Sequence, residues 1–152
     1  MFRGHSLVTL DVKGRLAVPS RYRERLEALC HGALVITLNP FDPCLSLYPL
    51  PEWESIEAKL QALSDADKAS RRAKQMMRGY ACECDLDGQG RILIPPTLRE
   101  FAGFDRDAIV LGQGNRFELW DVRRWEAQRE DWLRSVGEGE TNASQTLANL
   151  AL

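Results

Sequence analysis

Leu10-Asp11-Val12-Lys13-Gly14-Arg15-Leu16-Ala17-Val18-Pro19 returns 76 residues later as Leu86-Asp87-Gly88-Gln89-Gly90-Arg91-Ile92-Leu93-Ile94-Pro95. Leu, Asp, Gly, Arg and Pro keep their places, and three apolar residues separate Arg from Pro in both copies. An internal repeat governs the reading of a fold before any local signal does. Here it predicts two copies of one β-rich unit, each carrying an Asp-x-x-Gly-Arg turn.

The residues around each copy extend the match. Before the first, Ser6 to Val12 alternate, with Val8, Leu10 and Val12 expected on one strand face. Asp11 to Gly14 supply the turn, and Gly14 can take a positive φ. Leu16 to Val18 return as a strand that Pro19 ends, because proline cannot donate to a ladder. Ser20 is the expected N-cap of a short helix, Arg21 to Leu29. Ala33 to Leu38 and Leu45 to Tyr48 read as strands. A helix opens near Pro51, with Trp53, Ile56, Leu60 and Leu63 as its apolar stripe. Ser64 or Asp65 caps a further helix that turns Lys68, Arg71, Arg72, Lys74 and Arg78 outward and stops at Gly79.

In the second copy, Tyr80 to Leu86 and Ile92 to Ile94 read as strands and Thr97 to Ala102 as the short helix. Ile109-Val110-Leu111 answers Leu34-Val35-Ile36, and Phe117 to Trp120 answers Leu45 to Tyr48. Val122, Trp125, Trp132 and Val136 line a last helix. The order β-β-α-β-β-α thus occurs twice. The expected divisions are 1–75, 76–136 and a loose tail at 137–152 with a helical turn near Leu147 and Leu150.

Composition sets the class. A 152-residue chain, 44% hydrophobic and 28% charged, has the make-up of a soluble globular protein. Halves this small bury little surface alone and are expected to pack together. No apolar run is long enough for a membrane span, and the N-terminus lacks a secretion signal's apolar core. The expectation is a cytoplasmic protein with free thiols at Cys30, Cys44, Cys82 and Cys84. Cys82-x-Cys84 has no usual zinc spacing and reads as strand packing; no metal or cofactor is expected. Net charge is −2, yet six cations against two carboxylates leave residues 1–25 at +4 and the remainder at −6. That basic end is the candidate for facing phosphate.

A lone Asp-x-x-x-Arg is often no more than a hairpin corner braced by an ion pair. Two copies in matching strand contexts favour a shared use of the arginine. A guanidinium offers a planar fork that fits phosphate oxygens or the O6/N7 edge of guanine. Lys13 adds a point charge, and Gly14 removes bulk where backbone would approach a ligand. In the second copy, Gln89 replaces Lys13 and acidic neighbours surround Arg91.

At these residues the chain resembles the AbrB-like swapped-hairpin DNA-binding domains. With two copies, an opening Met1-Phe2-Arg3-Gly4, Leu45 to Pro49 followed by Glu52-Trp53, and Phe117 to Trp120, it resembles the MraZ family of the bacterial division and cell-wall gene cluster. The likeness runs to about residue 136. It implies an α+β, β-rich fold, with two tandem swapped-hairpin repeats interleaved into one pseudo-symmetric β-barrel with flanking helices. It implies a nucleoid-associated transcriptional repressor that binds repeated promoter boxes in double-stranded DNA. It implies ring-like homo-oligomers, octamer or dodecamer. Carried over by position, the DNA face is Lys13, Gly14 and Arg15 with Arg91, supported by Asp11, Asp87 and Gly90. Arg3, Arg21 and Arg23 join it on electrostatic grounds.

Two rival classes remain at this level. An enzyme would draw on His5, His31 or an Asp85–Asp87 carboxylate pair, but no nucleophile, metal or phosphate-loop motif surrounds them, and no catalytic residue is expected. A scaffold without DNA would use the helices of Trp53, Trp125 and Trp132 as association surfaces, although tryptophans at helical spacing more often fill a core.

Overall fold

The computed structural model describes residues 1–138, 145 and 148–150. Of the turn expected near Leu147 and Leu150, Leu147 and most of the surrounding tail lie outside those residues; Leu150 is described and exposed, and just before it the Asn149 N–H donates to the Gln145 carbonyl at 3.1 Å. The chain has two compact units, Met1–Val122 and Arg123–Leu152. The first contains eight strands, β1 His5–Thr9, β2 Arg15–Ala17, β3 Leu34–Leu38, β4 Leu45–Pro49, β5 Cys82–Glu83, β6 Arg91–Leu93, β7 Asp107–Gly112 and β8 Phe117–Asp121. Among the described residues there are five α-helices: α1 Ser20–Cys30, α2 Leu50–Gln61, α3 Lys68–Ala73, α4 Pro96–Ala102 and α5 Val122–Gly137.

The fold is α+β and its pairing is antiparallel. Six strands form one sheet in the order β1-β7-β8-β4-β3-β5, and β2 and β6 form a separate ribbon. Exchanging each strand for its counterpart in the other copy of the motif gives the same six-strand order read backwards. Four pairings cross between the halves: β1 with β7, β5 with β3, β4 with β8, and β2 with β6.

β3, β4 and β8 are buried along their whole length, which explains their continuous apolar runs. One face of the sheet meets α1 and α4 through Ile36, Leu47, Leu26, Leu98 and Ala102. Each of these leucine and isoleucine side chains contributes about 1.5–3 kcal/mol relative to exposure. On the other face Val35, opposite Tyr48, packs with Trp53 and Leu60 of α2. The Tyr48 and Trp53 rings lie 5.8 Å apart.

Several local expectations need correction. β1 stops at Thr9, so Val12 does not share its face but stands in the loop at 100% exposure. Pro19 holds the N-cap position of α1 and Ser20 is its first helical residue; proline's fixed φ already suits the entry. Asp67 caps α3 by accepting from the Ser70 N–H, in place of Ser64 or Asp65. The helix then widens into a π-helical turn, Lys74–Arg78. Lys74 is mostly covered and bound to Asp65 at 2.8 Å. Leu63 lies beyond the end of α2 and is exposed. β5 is only two residues long, and Asp85 and Asp87 fall outside it, so they share no strand face. Trp53 fills a core, whereas Trp132 is 56% exposed. No helix among the described residues is long and apolar enough to cross a membrane.

Candidate nucleic-acid interface

The two motif copies fold into the same loop, bond for bond. In the first, Asp11 Oδ1 accepts from the backbone N–H groups of Lys13 and Arg15, each at 2.9 Å, and Oδ2 accepts from Arg15 Nε at 2.6 Å. In the second, Asp87 Oδ1 accepts from Gln89 at 2.8 Å and Arg91 at 2.9 Å, and Oδ2 accepts from Arg91 Nε at 2.9 Å. In each loop the glycine N–H donates back to the Asp carbonyl at 3.0 Å. An aspartate bonding the backbone two residues on is the chemistry that starts turns. Gly14 and Gly90 close the loops at φ +83° and +72°, where a side chain is strained.

The aspartates thereby tie down one edge of each guanidinium. No hydrogen bond among the described residues engages the Nη atoms of Arg15 or Arg91. Those four nitrogens are the donors the two loops leave for a ligand, on side chains about one-third exposed. The bonds also act on the acid. The Arg15 N–H, reinforced by the Arg15 guanidinium and the Lys13 N–H, holds the Asp11 carboxyl below its ordinary value of 3.8 against a smaller desolvation effect. The Arg91 N–H leads the same effect at Asp87. A depressed folded pKa means that the loop bonds are fully present above 3.8 and are lost as pH falls through the lowered value. NMR titration is expected to place both carboxyl midpoints below 3.8. A midpoint at or above that value would break the account.

The ribbon brings the loops together. Arg15 pairs with Leu93, Leu16 with Ile92, and Ala17 with Arg91. Directly opposed residues share a face and successive residues alternate. Leu16 and Ile92 therefore point inward and are fully buried, while Arg15, Ala17, Arg91 and Leu93 share the outer face. Strand geometry sets the two arginine Cα atoms about 8 Å apart on the diagonal. The ladder continues into each loop, since Ile94 N–H donates to the Gly14 carbonyl at 3.0 Å and Val18 N–H to the Gly90 carbonyl at 2.9 Å.

A second pair of arginines was not grouped with these by motif. Arg99 of α4 covers Gly14 so closely that a Cβ there would lie 2.6 Å from its Cζ. Arg23 of α1 covers Gly90, where a Cβ would lie 2.2 Å from its Nε. Each loop is thus braced by a helix of the opposite half. Sequence reading singled out Arg23 but not Arg99, although the two stand 76 residues apart, the spacing of the motif itself.

Two other candidates sit elsewhere. Arg3 and Arg21 line an N-terminal hollow with Met1, Gly4, Tyr22 and Arg25. Arg21 donates to Ser6 Oγ at 2.8 Å and lies 4.8 Å above the Tyr22 ring. The basic segment at 68–78 is occupied locally: Arg71 reaches the Asp65 carbonyl and Arg78 reaches Gln61 Oε1 at 2.6 Å.

Comparison with known proteins decides the family. A family model described as "MraZ protein, putative antitoxin-like" matches residues 1–76 and again 77–145. The chain belongs to the MraZ family. A MraZ protein of Halorhodospira halophila, named as a transcriptional regulator, is 49% identical over 152 residues, all of both chains. One of Thioalkalivibrio sulfidiphilus with the same name is 50% identical over the same full span. One of Pseudomonas aeruginosa is 50% identical over 136 residues, 90% of each chain. In this MraZ-family chain no group of three His, Cys, Asp or Glu among the described residues could hold a metal ion. Cys82 is half-buried, Cys84 is buried, and burial pushes the Cys84 thiol up to about 12.

Proposed function

We propose that this chain is a sequence-specific, DNA-binding transcriptional regulator that represses its division and cell-wall gene cluster. The observation that carries this reading is the β2–β6 ribbon, which presents Arg15 and Arg91 on one outer face from two loops with the same internal bonds. Lys13, Arg15 and Arg91 are the contacts to duplex DNA. Asp11, Asp87, Gly14 and Gly90 hold the loop shape. Arg23, which covers Gly90, adds positive potential at the second loop, and Arg3 and Arg21 make a basic N-terminal hollow apart from it. The names of the relatives support the regulatory role.

We read the architecture as two AbrB-like swapped-hairpin units, 1–75 and 76–136, interleaved as one pseudo-symmetric barrel. The reversible strand order and the two-part family match support that division. One chain offers few cations, and a few phosphate contacts give weak, salt-sensitive binding. A ring-like homo-oligomer, octamer or dodecamer, would set several ribbons against repeated promoter boxes and raise the effective concentration of each. The protein then works in the cytoplasm at the nucleoid, without catalysis.

Footprinting on DNA upstream of its own gene at two salt concentrations tests the reading. Protection is expected over short repeated boxes and should weaken steeply as salt rises. The absence of protection at low salt would overturn it. The alternative, an oligomeric scaffold without DNA, draws on the exposed Trp132, Leu133 and Val136 of α5. It predicts assembly with no footprint.

A further inference from the structure

The braces of the two loops differ in one atom's bonding. Arg23 Nε donates to the Val18 carbonyl at 2.8 Å. Arg99 Nε, its counterpart, is enclosed and has no acceptor among the described residues. Native proteins leave few buried donors unpaired, and a charged one is more costly than a neutral amide. Two acceptors of the first loop already hold donors. The Gly14 carbonyl takes the Ile94 N–H, and the Asp11 carboxylate takes two backbone N–H groups and Arg15 Nε.

Arg99 and Gly14 lie on a cleft of about 530 Å³ between the first loop and α4, which Asp11, Val12, Glu100 and Asp105 also line. Val12, Glu100 and Asp105 are exposed, so the cleft opens to solvent. Its three carboxylates make it a poor host for a free anion. A phosphate already positioned by a duplex on Lys13 and Arg15 is a different ligand, because those cations offset the repulsion and the duplex fixes its place.

We propose that Arg99 contributes a phosphate contact to DNA seated on the first loop, reaching it from the opposite half of the chain. The inference rests on the DNA-binding reading. It gives the first loop three cations, Lys13, Arg15 and Arg99, and leaves the second with Arg91 above a brace whose Nε is already satisfied. A guanidinium suits this place, since its Nη atoms can donate to a phosphate while the side chain covers the loop glycine. The competing acceptor is a single water, which would satisfy Nε with no bearing on DNA.

The test uses the full chain and a duplex from upstream of its own gene. Binding is followed by fluorescence anisotropy over a range of salt concentrations, with thermal unfolding alongside. Arg99→Gln keeps length and polarity and removes the charge. It is expected to weaken binding roughly tenfold and to flatten the log–log salt slope by about one for each chain engaged. Arg99→Lys should recover most of the slope, which a purely structural brace would not do. Lys59→Gln, an equal loss of charge on α2, should leave the slope unchanged. A wild-type slope in Arg99→Gln, or a loss that Arg99→Lys fails to recover, overturns the proposal. If Arg15→Ala loses binding while Arg99→Gln keeps it, this inference alone fails. If Arg15→Ala binds like wild type, the DNA reading itself fails.

Discussion

Arg15→Ala is expected to abolish promoter binding while the oligomer and the fold persist. Arg15 and Asp11 are both about one-third exposed, and an ion pair in that setting adds little to stability. Its removal leaves Asp11 still bonded to two backbone N–H groups. On the DNA side an arginine contact is worth about 1–3 kcal/mol. An assembly that places several copies on repeated boxes loses that amount at every engaged copy, so the combined effect exceeds any single contact. Mobility shift beside light scattering reads both halves of the expectation. Arg91→Ala should weaken binding less, since Gln89 stands where the first loop has Lys13 and Glu83, Asp85 and Asp87 precede it. Equal affinity of Arg15→Ala and wild type would refute the interface.

Leu16→Ala carries the largest expected cost in stability. Leu16 is fully buried at the centre of the ribbon, opposite Ile92, and both belong to the main core. Truncating a buried leucine costs about 2–5 kcal/mol, because the lost burial adds to the cavity left behind. Leu93, one position along from Ile92, is 56% exposed on the arginine face. Leu93→Ala should change stability by less than about 0.5 kcal/mol. Chemical denaturation separates the two. Comparable losses from both would mean that the inner and outer faces of the ribbon are misassigned, and with them the exposure of Arg15 and Arg91.

Much of this was legible in the sequence because backbone chemistry writes it there. The paired Asp-x-x-Gly-Arg copies specified both loops, and the positive φ expected at Gly14 is found there and also at Gly90. The β-branched and apolar runs located β3, β4, β7 and β8. What escaped depended on contacts between distant residues. Alternation over 6–12 could not reveal that β1 ends at Thr9, since only its pairing with β7, running from His5 to Thr9, sets that limit. The π-helical turn arises where Met76 and Met77 meet different clusters of the core, with the Met77 carbonyl accepting from Thr37 Oγ1. Helical spacing alone carries no mark of that. Arg99 was hidden because its partner is a glycine 85 positions earlier, and only the strand exchange between halves brings them into contact.

That exchange limits how the gene can be cut. β1 takes its partner β7, and β5 its partner β3, from across the midpoint of the chain, and the ribbon needs one strand from each side. A truncated product ending near residue 76 would keep a single Asp-x-x-Gly-Arg corner and have nothing to zip it against. Two such fragments could complete each other only by trading the same strands between molecules. Covalent linkage of the halves therefore fixes a stoichiometry that separate halves would have to find by collision.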